Sequence, residues 1–368
     1  MIQHEEHMRE ALSLAKRGLL TTRPNPMVGC VITHKNKVIG RGWHERAGHN
    51  HAEVNAIKDV FNTLGKKAES VLKDSEMYVT LEPCSTSGRT PPCTEAIKKY
   101  GIKKIYIASE DNSQDGFVSK EKEIPIELGL LRDDAREMNK GFFSRIEKKR
   151  PFITVKMGIG LDGGIATGTG ESKWITSDKS RADVHKLRAI NDAIFTGIGT
   201  VLGDDPSLTS RNSGYDENEV IQPLRVVVDR NDKLKGDENI FSKEAKTIVF
   251  TNANSKLEGN DQNILIIKSV KLNNLKSVMK YLAEKKQINN VLVEAGSRIF
   301  DVLLNEGLID NLILYQSPKI IGLNRKTFSK FDQSDKKLST IGFKIDSIVQ
   351  IGVDKKITLS PKRNNEIK

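Results

Sequence analysis

Hydrophobic and polar positions in the first third of the chain alternate in the patterns of helices and strands. Residues 5–20 place four apolar side chains on one helical face, those of Met8, Leu12, Ala15 and Leu19. Residues 27–43, MVGCVITHKNKVIGRGW, predict two strands joined by a polar turn. The segments that follow predict, in order, a helix, a strand, a helix and a strand: HAEVNAIKDVFNTL, EMYVTLE, TEAIKKYG and IKKIYIAS. This alternation predicts an α/β sheet covered by helices.

A second strand–helix series follows a charged stretch at residues 140–150, KGFFSRIEKKR, which we interpret as a bridge that ends at Pro151. Strands are predicted at FITVKMGIG, LRVVVD, TIVFT, NNVLVEAG and NLILYQSPKII, and helices at DKSRADVHKLRAI and RIFDVLLNEG. A chain of 368 residues is also longer than one ordinary domain. The sequence therefore predicts two domains, residues 1–146 and 147–368.

The composition places the chain among soluble, folded proteins, with 37% hydrophobic and 29% charged residues. It contains no apolar run of about 18 residues that would cross a membrane. The first 20 residues lack the long apolar core of a secretory signal. These features, with only three cysteines, predict a cytoplasmic protein that does not associate with membranes.

The net charge of +11 suits either nucleic acid or small phosphorylated substrates. Aromatic residues make up only 5% of the chain, and no basic stretch is interleaved with them. Aromatic platforms for stacking nucleic-acid bases are therefore scarce. We expect a small-molecule substrate and no nucleic-acid partner.

Two cysteines, Cys84 and Cys93, lie close together in LEPCSTSGRTPPC, each directly after a proline. Such a pair can form a disulfide or bind a metal, and a reducing cytoplasm favours the metal. His51 and Glu53 stand at the start of a predicted helix, in His-Ala-Glu. One imidazole and two thiolates give Zn²⁺ three ligands and leave its fourth position for water, the arrangement of a catalytic site. One zinc ion per chain is predicted.

Catalytic zinc lowers the pKa of a bound water enough to supply hydroxide near neutral pH. Glu53, two residues from the histidine, can then carry a proton from that water to a leaving amine. His-x-Glu followed by Pro-Cys and a second cysteine is the signature of zinc-dependent base deaminases. Other interpretations are a structural zinc site, or a surface His-x-Glu beside two buried cysteines. Cys30, in the apolar strand MVGCVI, is expected in the core.

The spacing of the two cysteines departs from the Pro-Cys-x-x-Cys of deaminases that act on nucleosides or nucleic acids. HAE with TLEPCSTSGRTPPC, and RPNPMVGCVI, closely resemble the deaminase half of the bifunctional riboflavin-biosynthesis deaminase–reductases. The resemblance continues through VKMGIGLDGGIATGTGESKWIT, HKLRAINDAIFTGIGTVLGDDPSLTSR and LVEAGSRIFDVLLNEGLIDNLILYQSPKIIG. It spans nearly the whole chain.

The resemblance implies a cytidine-deaminase-like three-layer domain followed by a dihydrofolate-reductase-like domain. The first would deaminate 2,5-diamino-6-(5-phosphoribosylamino)pyrimidin-4(3H)-one to 5-amino-6-(5-phosphoribosylamino)uracil. The second would use NADPH to reduce the ribosyl group to a ribityl chain. Assembly into a homo-oligomer, a dimer or a tetramer, is also expected.

Three residues of the first half match positions that contact the pyrimidine in this family: Asn25, His44 and Arg89. Without the resemblance, Asn25 is equally a turn former between two prolines and His44 a surface residue at a strand end. The family commonly has Ser-His directly after the first cysteine, where this chain has Ser85-Thr86. The difference bears on substrate affinity and leaves the predicted zinc ligands intact.

The second half lacks the G-x-G-x-x-G fingerprint of a Rossmann site. Residues expected at NADPH, mostly from the resemblance, are Gly158, Trp174, Thr200, Asp204, Arg230 and Gly296. Those expected at the substrate are Ser172, Arg188, Leu208, Arg211 and Glu294. Arg188 and Arg211 could grip the ribose phosphate bidentately. Taken alone, Gly296 is equally an ordinary turn, Arg230 a solvated strand-end residue and Arg188 a helix-surface charge.

Two other classes of function stay open. A nucleoside or tRNA deaminase with an accessory domain would share the zinc motif, but the cysteine spacing and the second domain argue against it. A non-catalytic, zinc-stabilised RNA-binding protein would have no use for Glu53 and would bind RNA with a steep salt dependence.

Overall fold

The computed structural model describes residues 2–86, 91–114, 116–173, 175–259, 262–269, 274–330 and 342–362. The chain divides into two compact units, Met1–Lys148 and Lys149–Lys368. Among the described residues, none of the helices has the length and apolar character needed to cross a bilayer.

The first unit is a five-stranded sheet with helices on both faces. Its strands are β1 (Gly29–His34), β2 (Lys37–Trp43), β3 (Ser75–Val79), β4 (Lys104–Ile107) and β5 (Ile126–Leu128), in the order β2-β1-β3-β4-β5. Its helices are α1 (Ile2–Ala15), α2 (Ala52–Leu64), α3 (Ala68–Leu72), α4 (Cys93–Tyr100), α5 (Phe117–Lys120), α6 (Arg132–Met138) and α7 (Lys140–Lys148). Strand β1 is antiparallel to β2 and β3, whereas β3, β4 and β5 run parallel.

Alternation along the strands sorts the core of this unit into two layers. Cys30 and Ile32 pack on the face that α2 and α4 cover, while Val31 between them packs on the face of α1. Tyr78 and Tyr106 share the α1 face, and the residues on either side of each lie on the opposite face. The predicted three-layer arrangement is confirmed, and Cys30 is fully buried in it.

Helix α2 approaches strand β2 unusually closely. A Cβ atom on Gly42 would lie 2.3 Å from the carbonyl oxygen of Ala52 and 2.3 Å from the backbone nitrogen of Ala56. Only glycine, which has no Cβ, allows this contact. The first turn of α2, with Glu53, is thereby held against the sheet.

The prediction of a bridge at residues 140–150 is wrong, because most of this segment is helix α7. Phe142 and Phe143 are buried against Leu81. The charged residues of the segment follow an amphipathic pattern whose apolar side covers the core of the first unit. Asn139, just before α7, exchanges two hydrogen bonds with the backbone of Met27, 2.9 and 2.8 Å long.

The second unit is built on a nine-stranded sheet in the order β11-β10-β9-β8-β12-β6-β13-β16-β15. Its strands are β6 (Phe152–Ile159), β8 (Ala193–Gly197), β9 (Leu224–Asp229), β10 (Thr247–Thr251), β11 (Ile264–Lys268), β12 (Asn290–Val293), β13 (Asn311–Gln316), β15 (Phe343–Ile351) and β16 (Asp354–Pro361), while β7 (Gly164–Ala166) and β14 (Lys326–Thr327) form a separate pair. Its helices are α8 (Asp178–Ile190), α9 (Ile198–Asp204), α10 (Leu275–Lys286) and α11 (Ser297–Asn305).

The seven strands from β11 to β13 are parallel, and the β15–β16 hairpin adds two antiparallel strands at one edge. Ile194, Val227 and Leu292 pack on one face of the parallel sheet, and Phe195 and Val293 pack on the other. The predicted α/β class is confirmed for this half. The hairpin was not predicted.

Residues 149–368, expressed alone, are expected to fold, because all nine strands of the larger sheet come from this unit and a unit with its own core can fold independently. Far-UV circular dichroism during heating should show one cooperative transition. Residues 1–148 serve as the matched fragment. An insoluble or non-cooperative 149–368 fragment would show that its core depends on the first unit.

Candidate active sites

Three side chains with the chemistry of zinc ligands converge in the first unit. Nδ1 of His51 lies 3.4 Å from Sγ of Cys84 and 3.3 Å from Sγ of Cys93, and the three atoms lie within 4.8 Å of one another. Both thiols are free. One imidazole and two thiols suit Zn²⁺ and leave one tetrahedral position for a water or a substrate. The predicted set of ligands therefore fits the metal.

Helix N-termini position two of these ligands. His51 is the residue before α2, and Cys93 is the first residue of α4. Cys84 lies in the loop after β3, where its Sγ accepts a hydrogen bond of 3.2 Å from the backbone N–H of Cys93. Hydrogen bonds from Cys93 and His51 lower the pKa of the Cys84 thiol. These contacts favour the thiolate, the form that binds metal.

Glu53 lies in the first turn of α2, beside the three ligands. Its side chain is buried, and its Oε2 atom has no hydrogen-bond partner among the described residues. Burial raises the pKa of this carboxyl to about 7. A group that gains and loses a proton near neutral pH is suited to general acid–base chemistry.

Asn25 and His44 adjoin this cluster. Nδ1 of His44 lies 3.1 Å from the carbonyl oxygen of Asn50, which can only accept, so the ring hydrogen resides on Nδ1. Nε2 of His44 then accepts from Nδ2 of Asn25 at 3.2 Å. The His44 ring meets His51 edge-on, with centroids 5.2 Å apart. Burial lowers the pKa of His44 and keeps the ring neutral.

The other predicted contact with the pyrimidine, Arg89, lies outside the described residues. Thr86, which replaces the histidine common in the family, is exposed.

The side chains of Glu82 and Gln114 stabilise the loop that carries Cys84, and the sequence analysis did not predict this. The buried carboxylate of Glu82 accepts hydrogen bonds from the backbone N–H groups of Asp111 (2.9 Å) and Val118 (2.8 Å). The Gln114 side chain accepts from the backbone N–H of Ser85 at 3.0 Å. An acidic residue at the end of an apolar strand, directly before Pro-Cys in LEPC, was the signal that could have indicated a structural role for Glu82. Nothing in the sequence connects Gln114 to Ser85.

In the second unit, one cavity of about 1160 Å³ contains nearly all the residues predicted for that half. Its wall includes Gly158, Ser172, Arg188, Thr200, Asp204, Leu208, Arg211, Arg230, Glu294 and Gly296. Trp174 lies outside the described residues. Among the residues that the structure describes, the wall carries ten lysine and arginine residues against two carboxylates, those of Asp204 and Glu294. A cleft of this charge suits anionic ligands such as phosphates.

Residues predicted for two different ligands meet in this cavity. The hydroxyl of Ser172, predicted for substrate, donates to Oδ1 of Asp204, predicted for NADPH, at 2.8 Å.

Gly296 precedes the first turn of α11, and a Cβ added to it would meet no atom within 4 Å. The backbone there is open to a ligand that seeks N–H groups at a helix N-terminus. Arg230 is exposed just beyond β9.

Arg188 is paired differently from the prediction. Its Nε and Nη2 donate to the two carboxylate oxygens of Glu294 at 2.6 and 3.0 Å, and its Nη1 donates to the carbonyl of Thr209 at 3.1 Å. The edge of the Arg188 guanidinium that could donate two hydrogen bonds to a phosphate is therefore already occupied by Glu294. Lys156, which the sequence analysis did not select, lies 3.1 Å from the same carboxylate and also lines the cavity. A lysine inside the apolar run FITVKMGIG was the available signal.

Burial alone would raise the pKa of Glu294, but the charges of Arg188 and Lys156 hold it well below its ordinary value. Glu294 is therefore ionised and acts as an anchor for the two cations.

Two family models match the chain, one in each of the two units. The model described as the cytidine and deoxycytidylate deaminase zinc-binding region matches residues 1–109. The model described as the RibD C-terminal domain matches residues 151–356.

Curated relatives and solved structures are similar over most of the chain. The riboflavin biosynthesis protein RibD of Escherichia coli (strain K12) is 37% identical over 96% of this chain and 98% of its own. That of Aquifex aeolicus is 39% identical over 86% and 88%. The structure of Acinetobacter baumannii RibD, form 2, aligns with a TM-score of 0.88 and 34% identity, covering 98% of this chain and 99% of the other.

A second structure, from Thermotoga maritima, aligns with a TM-score of 0.85 and 33% identity over 98% of this chain and 99% of its own. It is named a diaminohydroxyphosphoribosylaminopyrimidine deaminase/5-amino-6-(5-phosphoribosylamino)uracil reductase.

Cys84→Ser and Cys93→Ser are each expected to leave the protein with substoichiometric zinc, because a neutral hydroxyl replaces a thiolate ligand. Glu53→Gln, which changes a buried residue of the same site that is not a ligand, is the matched control and should retain zinc. Elemental analysis after dialysis measures the content. Stoichiometric zinc in both serine variants would show that the ligands are assigned wrongly.

Proposed function

The chain belongs to the RibD family of bifunctional riboflavin-biosynthesis enzymes, and we propose that it performs both reactions named for the T. maritima relative. The first converts 2,5-diamino-6-(5-phosphoribosylamino)pyrimidin-4(3H)-one to 5-amino-6-(5-phosphoribosylamino)uracil. The second reduces the ribosyl group of that product to a ribityl chain with NADPH. The observation that carries the proposal is the presence in one chain of the His51–Cys84–Cys93 cluster and of a cationic cavity.

We assign deamination to residues 1–146 and reduction to residues 147–368. The assignment is supported by the matches of a deaminase model to residues 1–109 and of a reductase-type model to residues 151–356.

In the deaminase, His51, Cys84 and Cys93 would hold zinc. The bound ion acts as a Lewis acid that makes a water molecule more acidic. Glu53 would accept a proton from the attacking water as the water oxygen bonds to the ring carbon, and would deliver that proton to the departing amine, so that the C–N bond breaks and ammonia leaves. Its raised pKa, about 7, supports both halves of this transfer.

Recognition of the pyrimidine is assigned to Asn25, His44 and Arg89. The Asn25 amide presents both a donor and an acceptor, as a pyrimidine edge requires. His44 holds this amide through Nε2 and is itself fixed by the Asn50 carbonyl. With Thr86 in place of the family's histidine, a hydroxyl replaces a possible charge next to the substrate.

In the reductase, NADPH would lie against Gly158, Trp174, Thr200, Asp204, Arg230 and Gly296. The bound cofactor supplies a hydride, and the protein positions the reacting groups and excludes competing reactions. The exposed guanidinium of Arg230 suits the 2′-phosphate that distinguishes NADPH from NADH. Gly296 leaves the N-terminus of α11 open to the pyrophosphate.

The reductase substrate would lie against Ser172, Leu208, Arg211 and the Arg188–Glu294 pair. Arg211 is exposed in the cavity, and its guanidinium forms no ion pair within the described part of the chain. We therefore assign the ribose phosphate to Arg211. Arg188, engaged with Glu294 and Thr209, shapes the site instead.

Self-association and location complete the proposal. Strand β15 is the sheet edge, and Ile345, Ile348 and Val349 on it are 56%, 56% and 49% exposed. An apolar edge strand supports assembly of a homo-oligomer, a dimer or a tetramer. A cytoplasmic location is supported by the two free thiols of the zinc cluster.

Glu53→Gln is expected to reduce ammonia release at least about a hundredfold, because amide nitrogen and oxygen cannot carry the proton. Reduction of supplied 5-amino-6-(5-phosphoribosylamino)uracil by the same protein is the internal control and should proceed at the wild-type rate. An assay of ammonia and of NADPH absorbance measures both. Substantial ammonia release would refute the role of Glu53.

Arg211→Ala is expected to raise the KM for the reductase substrate roughly ten- to hundredfold, since a charge-assisted contact with phosphate is lost. The Kd for NADPH should change little. Lys186→Ala, which removes a nearby charge that does not line the cavity, is the matched control. Weaker NADPH binding with an unchanged substrate KM would mean that the two ligands are placed the wrong way round.

A further inference from the structure

Ser207, Leu208 and Arg211 line the cavity, and the segment 207–211 that carries them is fixed by side chains from elsewhere in the second unit. Leu208 has a positive φ of 50°, a backbone conformation that needs support in a non-glycine residue. Arg225, fully buried in β9, donates to the carbonyl of Ser207 at 3.4 Å. Gln222 exchanges two hydrogen bonds of 2.8 Å with the backbone of Ser210.

His185 supplies the anchor nearest to the proposed phosphate site. It lies on α8, one turn before Arg188, and lines the same cavity. Its Nδ1 accepts a hydrogen bond of 3.1 Å from the backbone N–H of Arg211. The hydroxyl of Ser210 in turn donates to the backbone carbonyl of His185 at 2.9 Å. Ser210 through its side chain and Arg211 through its backbone N–H are thus both tied to α8.

The protonation of the ring is consistent with this contact. Burial and the charges of Arg188 and Arg211 lower the pKa of His185, while Glu294 and the carbonyl of Thr209 act in the opposite direction. A nitrogen that accepts a backbone N–H carries no proton, so the ring is neutral with its hydrogen on Nε2.

We propose that His185 is a positioning residue for the reductase substrate: its Nδ1 fixes the backbone of Arg211 so that the guanidinium lies where the phosphate binds. The inference rests on the proposed function of the cavity. His185 acts through Arg211 and not by contact with the reacting atoms. Loss of the anchor therefore affects substrate binding and not the rate of hydride transfer.

Two substitutions of His185 distinguish the contribution of its Nδ1 acceptor from that of the rest of the ring. His185→Phe keeps a ring of similar size but has no acceptor, whereas His185→Asn keeps an acceptor oxygen on Cγ, where Nδ1 is attached. With the full-length protein, the phenylalanine variant is expected to raise the KM for 5-amino-6-(5-phosphoribosylamino)uracil about tenfold, the loss expected for one hydrogen bond. The asparagine variant should restore most of the affinity. kcat and the Kd for NADPH should stay near wild type in both.

A double substitution tests whether His185 acts through Arg211. In an Arg211→Ala background, His185→Phe should cause little further loss, because residues that act through one contact are not additive. Full additivity would overturn the proposal, as would an asparagine variant as impaired as the phenylalanine variant, or a phenylalanine variant with an unchanged KM. Should the phenylalanine variant not fold, His185→Ala gives the same comparison with asparagine.

Failure of the inference can be told from failure of the proposed function. Wild-type protein that binds NADPH but does not reduce the pyrimidine would refute the function. Calorimetry with ribose 5-phosphate as the probe still compares the variants at the phosphate site. Equal affinity of wild type and the phenylalanine variant for this probe would overturn the role of His185.

Discussion

Each unit buries a carboxyl group, and the pKa of that group is shifted in opposite directions in the two units, according to whether neighbouring cations offset the free-energy cost of burying its charge. Glu294 is surrounded by Arg188 and Lys156, so it stays ionised and holds both cations at the cavity wall. Glu53 forms no ion pair with a lysine or arginine in the described chain, and burial raises its pKa to about 7. An uncompensated buried acid exchanges protons near neutrality, whereas a compensated one serves as scaffold. This difference supports the proposal of acid–base chemistry in the first unit and ligand positioning in the second.

Close backbone packing makes the first site possible. Without a Cβ on Gly42, the start of α2 rests on β2 and brings His51 and Glu53 to the loop that carries Cys84. The second site depends on long-range side-chain contacts, because its wall at residues 207–211 lacks regular structure. A cluster of metal-binding side chains and a cationic pocket for anionic ligands suit the two different reactions of the family.

Much of the fold and the zinc cluster could be predicted from sequence, because alternation determines which face of a strand is buried and His-x-Glu with Pro-Cys has few other uses. Helix α7 was missed because its charges obscured the apolar stripe of Phe142 and Phe143. The Arg188–Glu294 pair joins residues 106 positions apart, and no local pattern predicts such a contact. His185 was missed for the same reason, since its partner is a backbone N–H and not a side chain.

The most direct test of the account is the fate of 2,5-diamino-6-(5-phosphoribosylamino)pyrimidin-4(3H)-one incubated with the zinc-loaded full-length protein, followed by mass spectrometry. Without NADPH, the only product should have an oxygen in place of one amino group. With NADPH, that product should gain two hydrogens and NADPH should be consumed in equal amount. A substrate that is unchanged in both incubations, or reduced without loss of the amino group, would contradict the assignment of two consecutive reactions to this chain.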